Sequence, residues 1–112
     1  MKIREVAKIV NGEVLCCEHL LDNEVYSACG SDMMSNVLAF VKDQGCLLTG
    51  LCNPQVIRTA EMMDIKCVVL VRGKCPDEAM TKLAAAHDIV LIRSNERMFE
   101  ACGKLYEAGL NR

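Results

Sequence analysis

Four short stretches carry the side chains with which this sequence could do chemistry: Cys29-Gly30-Ser31-Asp32, Thr49-Gly50-Leu51-Cys52-Asn53, Arg72-Gly73-Lys74 and Arg93-Ser94-Asn95. Each joins small residues to hydroxyl, amide or charged groups, and Arg72, Lys74 and Arg93 add three cations. Placed beside free backbone N–H groups at helix starts, such donors hold small anions. Ser31, Asp32, Thr49, Gly50, Asn53, Arg72, Gly73, Arg93 and Ser94 are therefore the candidate ligand-binding residues, for a small anionic or nucleotide-like molecule or for a partner protein. The same residue types are also what strand-to-helix turns and helix caps demand, so Thr49-Gly50 reads equally as a turn. Capping gives no reason for arginine at two strand ends; solvated surface charge or an oligomer contact does. No G-x-x-x-x-G-K-[ST] occurs, and no G-x-G-x-x-G follows a strand.

Catalysis finds no such grouping. A nucleophile needs a positioned base and a group that orients it. His19 falls in a polar connection, and His87 ends a helix, where a cation complements the dipole. Ser31, Thr49 and Ser94 have no evident base, and Asp32 has no second carboxylate beside it. The sequence thus predicts no catalytic residue. The eight cysteines, at 16, 17, 29, 46, 52, 67, 75 and 102, include no C-x-x-C, which disfavours structural zinc or an iron–sulfur cluster. No metal or cofactor is expected. Cys46 and Cys67 sit in apolar runs as small hydrophobes, and the set reads as reduced thiols of a reducing cell. Cys52 and Cys75 stand before helix N-termini, where a thiolate is favoured, so a thiol-based redox-responsive interaction module is the alternative reading.

The elements that must position these stretches follow from periodicity. Ile3, Val6, Ala7 and Val10 recur at helical spacing and stop at Asn11-Gly12. Glu13 to Cys16 and Val25 to Cys29 read as short strands with a polar connection between them. Met34, Val37, Leu38 and Val41 mark a second helix after Ser31-Asp32, and Cys46 to Thr49 a strand. Val56, Ile57, Ala60 and Met63 mark a helix with Asn53 as N-cap and Pro54 at its first position. Cys67 to Val71 is a strand; Pro76-Asp77-Glu78 opens a helix lined by Met80, Leu83, Ala84 and His87. Ile89 to Ile92 is the last strand, and Met98, Phe99, Cys102, Leu105 and Tyr106 form the last helical stripe, ending near Gly109. In each of the pairs Met33-Met34 and Met62-Met63, one methionine must point outward. Unbroken apolar strands alternating with amphipathic helices describe an α/β fold, a three-layer α/β/α arrangement with a mainly parallel sheet of about four to five strands. Parallel strands gather their C-terminal ends, and hence the four stretches, on one edge.

A chain of 112 residues supports one ordinary core, so residues 1–112 read as a single domain. At 52% hydrophobic and 25% charged it is too apolar to be disordered. A formal charge of -2 and 4% aromatics exclude the basic, stacking surface that nucleic acid requires. The longest apolar run, Cys67 to Val71, falls far short of the roughly 20 residues of a membrane helix, and Met1-Lys2-Ile3-Arg4-Glu5 lacks the apolar centre of a signal peptide. The expected location is the cytoplasm, with no nucleic-acid or membrane partner.

Taken together, "IREVAKIVNGEVL", "LLTGLCNP", "VIRTAEMMDI", "VVLVRGKCPDE" and "MFEACGKL" resemble the DRTGG domain family over nearly the whole chain, most of all the short stand-alone members of anaerobic bacteria. Such domains are similar to the N-terminal domain of HPr kinase/phosphorylase, and others are joined to CBS domains, inorganic pyrophosphatases or phosphotransacetylases. The resemblance implies an α/β/α regulatory or ligand-sensing module, usually a homodimer and without chemistry of its own, with a possible protein partner in a redox or hydrogenase system. The kinase label attached to some stand-alone members does not carry over, because the phosphate-binding loop is missing. Thr49 and Gly50 match the family's Thr-Gly and Pro54 its helix-opening proline. Leu51 replaces the second glycine, and the family's Asp-Arg pair is not recognisable ahead of it, where only Ser31-Asp32 stands.

Overall fold

A strand sends successive side chains to opposite faces, so the unbroken apolar runs of this chain need cover on both sides. The computed structural model, which describes residues 1–40 and 45–111, supplies that cover. The order is α1 (Ile3–Ile9), β1 (Glu13–Cys16), a 3-10 turn (Glu18–Leu20), β2 (Ser27–Gly30), α2 (Met34–Phe40), β3 (Gly45–Thr49), α3 (Pro54–Met62), β4 (Cys67–Leu70), α4 (Glu78–Ala86), β5 (Val90–Arg93) and α5 (Met98–Glu107). The five strands form one sheet in the order β1-β5-β4-β3-β2. Strands β2 to β5 are mutually parallel, with Ala28 opposite Cys46, Leu47 opposite Val68 and Val69 opposite Ile92. Only β1 runs antiparallel, beside β5, and its register breaks between Val14 and Cys16.

Each of the steps β2 to β3 to β4 to β5 moves one place in the same direction. Right-handed crossovers then place all three connecting helices on one face. That face buries Val37 of α2, Val56, Ile57 and Ala60 of α3, and Met80 and Ala84 of α4 against Leu47, Val68, Leu70 and Leu91. The opposite face of the same strands, Cys46, Leu48, Cys67, Val69, Val90 and Ile92, is covered by Ile3 and Val6 of α1 and Ala101 and Leu105 of α5. The fold is thus the three-layer α/β/α arrangement with a mainly parallel sheet. Among the described residues no helix is long and apolar enough to cross a membrane.

Cap chemistry sets the helix bounds. Asn53 accepts the Gln55 amide at 2.9 Å ahead of Pro54, and Asp77 accepts the Met80 amide at 2.8 Å. Met33 and Met62 point outward while Met34 and Met63 are partly buried, as one-sided helices require.

Three expectations shift. Strand β2 begins at Ser27 instead of Val25, because Val25 exchanges backbone hydrogen bonds with Met1 and so belongs to the N-terminal clasp. The expected apolar stripe of α5 splits: Leu105 is buried and Met98 and Cys102 partly so, whereas Phe99 is 86% and Tyr106 66% exposed, and Ala101, outside that stripe, is buried in their place. In α2, Val37 is buried but Leu38 is exposed, and Val41, the last residue of that expected stripe, lies outside the described residues.

Candidate functional site

Because β2 to β5 are parallel, the loops after them lie along one edge, and the side chains there sort into two groups. The first draws on β2, β3 and β4. Asp32, two residues past β2, reaches across to β3: its Oδ1 accepts the Gly50 amide at 2.6 Å and the Thr49 hydroxyl at 3.2 Å. Its Oδ2 accepts from Arg72, two residues past β4, at 3.1 Å. Thr49 is fully buried, and its Oγ1 also accepts the Leu51 amide at 3.1 Å, which fixes the hydroxyl's direction. The donors are a backbone N–H, a hydroxyl and a guanidinium, and they converge on one carboxylate. The Gly50 amide, then Arg72 and Thr49, hold the Asp32 carboxyl below the usual carboxylate range against the cost of partial burial.

The geometry depends on two backbone features. Arg72 and Gly73 are both left-handed, at φ 60° and 68°, a conformation a non-glycine residue adopts only at a cost. This turn lays the Arg72 guanidinium across the Cα of Gly50, where a Cβ would collide with it. A side chain at Gly50 would therefore push the Arg72 guanidinium off its present position, while Gly73 is favoured by its left-handed dihedral and sits close to Asn95, whose Oδ1 a Cβ would meet at 2.9 Å.

The second group is spent on the fold. Ser94 is buried, donates to the Val10 carbonyl at 2.6 Å and accepts the Glu96 amide at 3.1 Å, so it ties the end of α1 to β5. Arg93 faces Glu13 of β1, its Nη1 3.9 Å from the carboxylate, and its Nε is buried without a partner. The loops after β4 and β5 are sewn together by Arg72 N–H to Glu96 O and Gly73 N–H to Ser94 O, both 2.8 Å. Asn53 caps α3, and the Ser31 hydroxyl accepts the Met33 amide at 3.0 Å. Of the nine candidates, four meet at one point: Asp32, Thr49, Gly50 and Arg72. Asp32 from the end of β2 and Arg72 from the end of β4 thus meet at Thr49-Gly50 between them.

Elsewhere the chemistry is quiet. His87 sits at the C-cap of α4 with Nδ1 3.3 Å from Glu61, at the end of that helix away from its Asp77 cap. Burial pushes the Cys17 thiol up to about 11 and raises those of Cys29, Cys52 and Cys102, and the bond to Cys46, with burial, raises that of Cys67. Among the described residues no three His, Cys, Asp or Glu side chains are placed to hold a metal ion. A cavity of about 310 Å³ lies between β2 and α5, on the α5 side of the sheet, lined by Ala28, Gly30, Leu48, Leu105, Tyr106 and Leu110. Sequence periodicity assigned Tyr106 to the core, so this flank was not foreseen.

The regulatory region of Clostridium perfringens pyrophosphatase, a CBS and DRTGG domain structure complexed with the activator diadenosine tetraphosphate, is similar in fold: the TM-score is 0.73 at 12% identity, over 93% of this chain. The match takes in 45% of that chain, so this protein spans less than half of it. No curated protein matches the sequence. The DRTGG domain profile matches residues 5–108, nearly end to end, and the chain belongs to the DRTGG domain family.

Proposed function

We propose that the chain is a single regulatory domain, residues 1–112, without chemistry of its own, which senses a small anionic or nucleotide-like metabolite at the rim of β2, β3 and β4. The observation that carries this reading is the convergence of the Gly50 amide, the Thr49 hydroxyl and the Arg72 guanidinium on one oxyanion, the Asp32 carboxylate. Such a donor set suits a phosphoryl or carboxylate group. A regulatory role is in keeping with the pyrophosphatase region of like fold, which takes a nucleotide activator. The one hydroxyl–carboxylate pair described at the rim, Thr49 with Asp32, has its hydroxyl fully buried and turned to the Leu51 amide, which fits sensing better than turnover.

Thermal unfolding against a panel of nucleotides and phosphorylated metabolites tests it. A ligand at a hundredfold excess over its Kd stabilises the fold by about 2.7 kcal/mol, several degrees in Tm for a domain of this size. Arg72→Gln should erase that shift while costing about 1 kcal/mol or less by itself, since the ion pair is half exposed. A flat response across the panel overturns the reading.

A second surface favours self-association. Phe99 and Tyr106 project from α5 beside the cavity against β2, which ends the sheet. Exposed aromatics at a concave apolar flank are typical interface anchors, and a homodimer through this flank is the second part of the proposal. The thiol-based alternative has weaker footing at Cys52, where burial raises the thiol and makes it a poorer nucleophile at neutral pH, and rests on the exposed Cys75.

A further inference from the structure

The rim has an occupant of its own. An anion arriving there would find the Gly50 amide, the Thr49 hydroxyl and the Arg72 guanidinium already bonded to Asp32. Both partners of the ion pair are accessible, with side chains 50% and 39% exposed, so the carboxylate is displaceable from solvent. We infer that Asp32 is the built-in competitor of an oxyanion cradle, that a phosphoryl group takes its place, and that the exchange releases α2. This rests on the rim being a ligand site and assigns its ligand class and its output.

Three features carry the inference. The carboxylate uses two oxygens for three donors, Oδ1 serving both Gly50 and Thr49. A phosphoryl group offers three oxygens to the same donors and a larger charge to Arg72, with Lys74 two residues further along the same loop. The two anions exclude each other: a bound phosphoryl next to an ionised Asp32 is a like-charge contact, so the aspartate must swing out. Finally, Asp32 is joined directly to α2. The Ser31 amide is pinned to the Leu48 carbonyl at 3.0 Å, Asp32 follows, and α2 starts at Met34. Beyond that point the cover is thin. Among the described residues Val37 is the fully buried side chain of α2, while Ser35, Asn36, Leu38 and Ala39 are exposed. Freeing Asp32 therefore removes one of the ties that hold the described part of α2 to the sheet and changes the surface that α2 presents.

The test uses inorganic pyrophosphate as probe and isothermal titration at fixed ionic strength, on the full chain and on the variants Asp32→Ala and Arg72→Gln. A site that is closed most of the time binds more weakly by the open fraction, so removing the competitor should tighten binding about tenfold or more. Arg72→Gln should lose it. Wild-type binding that is unchanged or weakened by Asp32→Ala leaves the ligand site standing and overturns the competitor role. Absence of binding in all three proteins overturns both. Hydrogen exchange on the wild type gives an independent reading should Asp32→Ala fold poorly. Pyrophosphate should slow exchange of the Gly50 amide and speed that of Asn36 and Val37, whose amides are held by the Met33 carbonyl. Pyrophosphate binding with no change at those two amides overturns the release of α2.

Discussion

Asp32 and Arg72 stand 40 residues apart in the chain and 3.1 Å apart in the fold. Both were legible as rim residues, but their pairing was not: it needs β2, β3 and β4 as neighbours in that order, together with a left-handed φ at a residue that is not glycine. Ser94 escaped for a similar reason, since its burial depends on the end of α1 returning over β5, a contact 84 residues long. Asn53 was legible in full because a cap is local. The pairing has a pH signature. The Asp32 carboxyl is held below its ordinary value of 3.8, so its ionised form binds more tightly in the folded state than in the unfolded one. The resulting stability is complete above that ordinary value and is lost as pH falls through the lowered, folded one. Chemical denaturation of wild type and Asp32→Asn should therefore differ by a constant amount near neutrality, at most about 1 kcal/mol for a half-exposed pair, and converge in acid. Asp22 and Glu96 are lowered too, by Arg4 and by Lys104, but they titrate alike in both proteins and cancel. A difference that persists unchanged below the folded value would mean that Asp32 contributes by shape and not by charge.

At the scale of elements, the four α-helices whose C-caps lie among the described residues end in the same way. The residues after the C-caps of α1, α3, α4 and α5 are Asn11, Asp64, Asp88 and Gly109, all left-handed. The following amides, of Gly12, Ile65, Ile89 and Leu110, close back on Ala7, Ala60, Ala84 and Leu105 at 2.8 to 3.0 Å. This stop does two jobs. It satisfies the orphan carbonyls, and it delivers Ile65 and Ile89 buried at the entrance of β4 and β5. From sequence, Asn11-Gly12 and Gly109 were readable as stops, whereas nothing singled out Asp64 and Asp88, because an aspartate visits the left-handed region less often than asparagine or glycine and signals it less clearly. Asp88→Gly should raise the unfolding free energy by about 0.5–1 kcal/mol, and Asp88→Ala should lower it, with the urea m-value unchanged in both. A loss on substitution by glycine would mean that the Asp88 side chain, not its backbone, matters there. The misread face of α5 has a related cause. Residues 98, 101, 102 and 105 suffice to cover the β2 to β4 side of the sheet, and apolar residues at 99 and 106 fall one step round the helix, where periodicity alone still counts them as core.

For the molecule as a whole, strand order decides which surfaces remain for binding. Helices after neighbouring strands leave on opposite faces at β4 and β5, the place where an open parallel sheet usually has its crevice. Here that crevice is sewn shut by the two backbone bonds between the β4 and β5 loops and filled by Ser94. Among the described residues, the rim around Gly50 and the flank between β2 and α5 remain open, and they are separate in composition: the rim is polar, the flank apolar. Their separateness makes the proposed dimer testable without touching the ligand site. Phe99 and Tyr106 are too exposed to hold up the fold, so Phe99→Ser with Tyr106→Ser should leave stability within about 0.5 kcal/mol of wild type. If the flank is the dimer interface, those aromatics are its anchors, and the double variant should sediment as a monomer at concentrations where the wild type is a dimer. Arg72→Gln, at the rim, should leave the wild-type sedimentation coefficient unchanged. A wild type that is monomeric throughout the micromolar range rules out the dimer. A double variant that remains dimeric places the interface on another face, while dissociation by Arg72→Gln would tie the two surfaces together and move the interface toward the C-terminal strand ends.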